Sequence, residues 1–179
     1  MDGGCAGFFT DEQLEEGNGV IYSDKELEAK RTAKKRKFIP LLNTHKTTFS
    51  KEDLQHLING DMEKCFENEA YFANGRNPSL RLPPEKILMI DRITKVDLQG
   101  GAYGLGYIEA EKDLHPDDWY FPCHFRDDEV LAGSLQAEGG GNLLRFFMLM
   151  LGLQRLTKDA RYQPVFALPQ KVRCRKQVT

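Results

Sequence analysis

His124 lies in the segment Phe121-Pro122-Cys123-His124-Phe125, and Glu138 follows fourteen residues later. A neutral imidazole can take a weakly acidic proton from carbon, and a carboxyl group can protonate a departing hydroxyl. Together they would suit removal of water from a 3-hydroxyacyl thioester, in which C2 loses a proton and C3 loses its hydroxyl. The enolate oxygen that develops needs donors, and the first backbone N–H groups of a helix supply them with a favourable dipole. Gly133-Ser134 can open such a helix and puts the Gly133 amide in the donor position. Glu138 is the only acidic residue between Leu131 and Leu151, so its carboxylate is expected to have a partner or a raised pKa.

Spacing alone does not single out catalysis. A lone histidine beside aromatic residues is more often a hydrogen-bonded structural group, and a helical glutamate is more often solvated. Cys123 invites a thiol-nucleophile reading. Neighbours in an extended segment point to opposite faces, which argues against a Cys123–His124 dyad. His45 and His115 sit in loop-like surroundings, and no His, Asp or Glu set has metal-ligand spacing. Asp127-Asp128 could meet a cation but reads better as a solvated turn.

These residues need elements to position them. The helix opened by Gly133-Ser134 runs to a stop at Gly152 and is apolar on almost every side between Leu143 and Leu151. A helix of that kind is buried all round, and a sheet wrapped about a central helix would bury it. Gly139-Gly140-Gly141 inside it costs roughly 1 kcal/mol per glycine relative to alanine. Close approach of another backbone or of a substrate is the expected compensation. Strands are read at Ile87–Val96, after an extended Pro83-Pro84 entry, and at Ala102–Glu111, beyond a Gly100-Gly101 turn. A last extended stretch runs from Val165 onward to Val178. Three or four strands are too few for a full wrap, so residues 50–179 are expected to be the N-terminal part of a domain incomplete at its C-terminus.

Ahead of them, Ser50 caps a helix with Asp53 as capping-box partner and Gly60 as the stop. Asn74 to Pro78 is loop chemistry. Residues 1–49 differ in character from the rest and read as a linker. They hold an acidic stretch from Thr10 to Gly19, a helix start at Ser23, and the basic run Lys30-Arg31 to Lys34-Lys35-Arg36-Lys37. That run reads as the solvated end of the helix, with Glu26 and Lys30 at i,i+4 spacing.

Bulk properties narrow the class. The 179 residues are 40% hydrophobic and 29% charged, with net charge −2, so no basic field argues for nucleic acid. Cys5, Cys65, Cys123 and Cys174 are far apart and read as free thiols in a reducing cytoplasm. The first residues lack a signal-peptide pattern, and no apolar stretch reaches the ~20 residues needed to cross a bilayer. A soluble, cytoplasmic protein is expected.

The segment from Trp119 to Glu138 resembles the signature of the bacterial 3-hydroxydecanoyl-acyl-carrier-protein dehydratase/isomerase family. It is closer still to the dehydratase domains of polyunsaturated fatty acid synthases. Asn77-Pro78-Ser79-Leu80-Arg81-Leu82-Pro83-Pro84, Ile87 to Arg92 and Gly100-Gly101 extend the resemblance, which covers roughly residues 50–179. It implies an α+β hot-dog fold, an antiparallel sheet around a central helix. It implies His124 as base, Glu138 as acid and Gly133 as the oxyanion amide. It also implies a second hot-dog, as dimer or pseudo-dimer, with His124 and the acid contributed from opposite hot-dogs. For residues 1–49 it allows for the tail of a preceding hot-dog. The substrate would be an acyl-phosphopantetheine on an acyl carrier protein, with no cofactor and no metal. Glu138 stands where the isomerase has Asp and the dehydratase-only relatives have Glu, so isomerase activity is not expected. Glu129 and Ala132 replace prolines common in the family's turn. A hot-dog thioesterase would usually lack the Pro122-Cys123-His124-Phe125 element, and a non-catalytic hot-dog scaffold would have no use for intact His124 and Glu138.

Overall fold

The computed structural model describes Thr10, Glu12, residues 23–72, residues 78–162 and Val178. Helix α1 (Asp24–Thr32) starts at the expected capping box, in which Ser23 accepts from the Glu26 N–H and the Glu26 carboxylate accepts from the Ser23 N–H. It buries no residue. The basic run does not simply end this helix. Lys30 and Arg31 form its last turn, but Lys34 to Lys37 follow as exposed, non-helical chain. The Arg36 N–H donates to the Tyr103 carbonyl at 2.9 Å, which ties the run to the body of the protein.

Helix α2 (Lys51–Asn59) carries the capping box between Ser50 and Asp53 and ends at Gly60, whose φ of 89° suits a residue without Cβ. It buries Leu54 and Leu57, and the short α3 (Met62–Cys65) adds Met62 and Cys65. Leu42 and Phe49, ahead of residue 50, enter the same core. Phe49 also pairs with Ile93 across an isolated bridge.

The sheet consists of β1 (Arg92–Asp97) and β2 (Tyr107–Glu111), paired antiparallel with an irregularity between Ile93 and Lys95. Both strands are shorter than the sequence suggests. Glu85–Ile87 coil into a single 3-10 turn after the two prolines, and residues 100–106 form a wide turn before β2. The turn expected at Gly100-Gly101 is there; the strand expected from Ala102 begins five residues later. The stretch from Val165 onward lies outside the described residues except for Val178, whose carbonyl accepts from the Leu131 N–H at 2.8 Å. The fold of the described residues is therefore α+β, a small antiparallel sheet beside one long helix.

That helix, α4 (Gly133–Met150), opens and stops where expected, with Gly152 at φ 78° just beyond it. It is not buried all round within this chain. Asn142, Phe146, Leu149 and Met150 form one buried stripe, whereas Leu144 is 58% exposed. The physical reason is coverage: among the described residues, β2 and the 3-10 turn Leu153–Arg155 pack on α4, with Phe49 and Phe66 against Phe146. Phe146 packs edge-on against Phe49 at 4.9 Å, and the Tyr71 hydroxyl donates to the Met150 carbonyl. A second, smaller core gathers Met89, Tyr120, Phe121 and Leu131, with Leu114, Leu135 and Val178 around it.

The glycine triplet divides in two. A Cβ on Gly139 would stand 3.1 Å from the Met89 carbonyl oxygen, the close backbone approach expected. Gly140 and Gly141 face open space.

Candidate functional site

The chain reaches His124 through a compact loop. The Trp119 indole donates to the Lys86 carbonyl, and the Asp118 carboxylate accepts from the Tyr120 hydroxyl and from the His115 N–H. Those two hydrogen bonds, the tyrosine's first, hold the Asp118 carboxyl below the usual aspartate range. Burial, and then the bond to Asp118, push the Tyr120 phenol up. Tyr120 and Phe121 anchor the loop in the smaller core. The residues between are turns, not the extended segment expected for Cys123 and His124. The Cys123 thiol donates to the Trp119 carbonyl at 3.2 Å, not to the imidazole.

A tight return follows. Phe125 and Asp128 exchange N–H to carbonyl bonds at 2.6 and 3.2 Å, so Asp127 and Asp128 sit in an exposed turn. Val130 comes back beside His124: its N–H donates to the His124 carbonyl at 2.8 Å, and its carbonyl lies 2.9 Å from His124 Nδ1. A carbonyl can only accept, so Nδ1 carries a proton, and a ring with no second proton has its lone pair on Nε2. The half-buried imidazole stacks on Phe125 with centroids 3.9 Å apart.

Three residues past Val130, α4 begins at the exposed Gly133. No side chain caps this end, and no acidic residue lies in the first turn. The Leu135 and Gln136 N–H groups turn back to the Ala132 carbonyl, and among the described residues the Gly133 and Ser134 N–H groups meet no carbonyl. In the second turn Glu138 finds the partner expected for it: Oε1 accepts from Asn142 Nδ2 at 2.8 Å. Sequence reasoning does not single out Asn142. Its only signal is its i,i+4 spacing from Glu138 on a nearly uncharged helix.

His124, Gly133 and Glu138 thus border one region, through Phe121 and Leu131 on one side and Met89 on the other. Among the described residues no hydrogen bond or ion pair joins His124 to Glu138. A cleft of about 360 Å³ lies elsewhere, lined by Ser50, Asp91, Arg92, Asp113 and His115 among others. There the buried Asp91 accepts from Lys112 and from the Asp113 N–H, and Arg92 clamps Asp113 with two bonds. This network fixes the start of β1. The pattern of Ile87 to Arg92 marks the segment, but no partner for Asp91 can be read from it. Among the described residues no group of three His, Cys, Asp or Glu side chains is placed to hold a metal, and no helix is long and apolar enough to cross a membrane.

Residues 82–179, more than half of the chain, match the FabA-like domain. The chain belongs to this family. Its FabA-like part therefore contains the whole loop from Asp118 to Val130 and all of α4. Over its full length the chain is also 43% identical, across 183 aligned residues, to a polyunsaturated fatty acid synthase subunit from Thraustochytrium sp.. It spans 12% of that protein's length. Both findings bear out the resemblance read from the segment between Trp119 and Glu138.

Proposed function

We propose that this FabA-like chain is part of a dehydratase that converts 3-hydroxyacyl thioesters, carried on an acyl carrier protein, to trans-2-enoyl thioesters in fatty acid or polyunsaturated fatty acid synthesis. His124 Nε2 takes the C2 proton. The Gly133 N–H, at the uncapped start of α4, receives the negative charge that builds on the thioester oxygen. Glu138 gives its proton to the C3 hydroxyl, which leaves as water. No redox change occurs, and the pair resets when His124 gives its proton to solvent and Glu138 takes one back, so that the net loss from substrate is one water. The observation that carries this reading is the 2.9 Å contact between Val130 O and His124 Nδ1, which leaves Nε2 as the basic nitrogen of a residue tied three positions ahead of the helix start.

The catalytic pair is completed by a second hot-dog, so that His124 of one half works with the acid of the other. The missing hydrogen bond between His124 and Glu138 and the outward-facing apolar Leu144 both support this arrangement. The direct test supplies the intact protein with a 3-hydroxyacyl thioester on acyl carrier protein and follows the product by mass and by double-bond position. A trans-2-enoyl product with little or no cis-3 isomer is expected, because Glu138 stands where the isomerase has Asp. Substantial cis-3 product would overturn the dehydratase-only reading, and hydrolysis of the thioester without dehydration would replace it with a thioesterase.

A further inference from the structure

We infer that Phe125 is a positioning residue for His124, whose ring face stabilises the positive charge that the imidazole takes on with the C2 proton. The inference rests on the reading of His124 as the base. The two rings stack with centroids 3.9 Å apart and planes inclined by 28°. Uncharged aromatic rings favour offset or edge-on contacts with centroids about 4.5–7 Å apart. The edge-on pair of Phe49 and Phe146, at 4.9 Å, follows that rule. A cation gains instead from lying over the face of a ring, where the charge of the π-system is negative. The imidazole becomes such a cation when Nε2 accepts a proton.

Core packing does not account for Phe125. It is 57% exposed and belongs to neither of the two cores among the described residues. Its place is fixed all the same, because reciprocal bonds with Asp128 hold its backbone while those with Val130 hold His124. The lone pair of Nε2 lies in the plane of the imidazole, so a ring stacked on the face leaves it open to substrate. In the step concerned the C2–H bond breaks, its electron pair stays with the substrate as the enolate, and the proton joins Nε2. One positive charge then stands beside the Phe125 face until His124 gives the proton to solvent. Phe125 thus acts where the charge appears, in the chemical step, and not in binding.

The test replaces Phe125 in the intact protein with mono-, di- and trifluorinated phenylalanine and measures kcat and KM for dehydration. Each fluorine weakens the negative face of the ring and scarcely alters its shape, so a ring that only packs against a neighbour would not respond. kcat should fall at every step, by about 3- to 30-fold over the series, the range for a cation over an aromatic face. KM should change by less than about twofold, because the charge is absent while substrate binds. Phe125→Leu, which keeps bulk without a π-face, should lose about as much as the trifluorinated protein. Phe125→Tyr, which keeps the face, should retain most of the wild-type kcat. A level kcat across the fluorinated series, in a protein whose activity His124→Ala abolishes, would overturn the role of Phe125 and leave the base in place. Activity retained by His124→Ala would instead overturn the underlying assignment of His124.

Discussion

The Val130 carbonyl accepts from Nδ1 of His124 at 2.9 Å, and the Val130 N–H donates to the His124 carbonyl at 2.8 Å. Two bonds between the same pair fix both the backbone and the ring of His124. Because Gly133 follows Val130 by three residues, the contact also sets the imidazole relative to the start of α4. The proposed base and the proposed oxyanion donor thus lie on one short stretch of chain, whose Leu131 is buried in the smaller core.

The glycines of α4 should separate by direction. Gly139→Ala would place Cβ 3.1 Å from the Met89 carbonyl and 3.3 Å from its Cβ, so it should lower the melting temperature and slow dehydration. Gly140→Ala meets nothing within 4 Å and should stabilise by about 0.5–1 kcal/mol through helix propensity. Calorimetry on the two variants checks this. Equal effects would show that Met89 yields to the added methyl group.

The loop before His124 should lose its anchor in acid. Asp118 is held below its ordinary range by the Tyr120 hydroxyl and then by the His115 N–H, so its folded pKa is depressed. The stability it contributes is present above the unfolded value of about 3.9 and is lost as pH falls through the lower folded value. Asp118→Asn should therefore destabilise at neutral pH, and the difference from wild type should shrink as pH drops below about 4. Melting curves across that window decide it; a difference that grows in acid would contradict the sign.

Leu144 projects from α4 at 58% exposure, in a stretch otherwise half-buried or buried. Leu144→Asp should leave the fold of this chain within about 0.5 kcal/mol, as for a surface change. It should weaken association with the proposed second hot-dog. Analytical ultracentrifugation of any separable halves, or domain-interface proteolysis in the intact protein, reads the effect. Unchanged association would place the interface on another face.

Much of the framework that carries the candidate site is legible in the sequence because it obeys local rules. The Ser50–Asp53 box, the Gly60 and Gly152 stops and the start of α4 at Gly133 are short-range features that spacing reveals. The bonds that make the site specific are hidden, because they join distant positions. Asn142 meets Met89 across 53 residues, and Tyr71 meets Met150 across 79. The overestimate of α4's burial has a similar origin. Apolar character on every side records what a helix can bury, and the described residues of this chain leave Leu144 largely uncovered. Strand starts are misplaced where an extended run, such as Leu88 to Asp91, is engaged by side chains before the ladder begins.

The central claim is that His124 is the base, and hydration of a trans-2-enoyl thioester in D₂O tests it most directly. Wild-type protein should form the 3-hydroxyacyl thioester with deuterium at C2, delivered from Nε2 of His124. His124→Ala should reduce that reaction by at least about 10²–10⁴-fold, the usual contribution of a general base, while the protein still melts cooperatively. A folded His124→Ala protein that keeps most of its activity, with deuterium still placed at C2, would contradict the account.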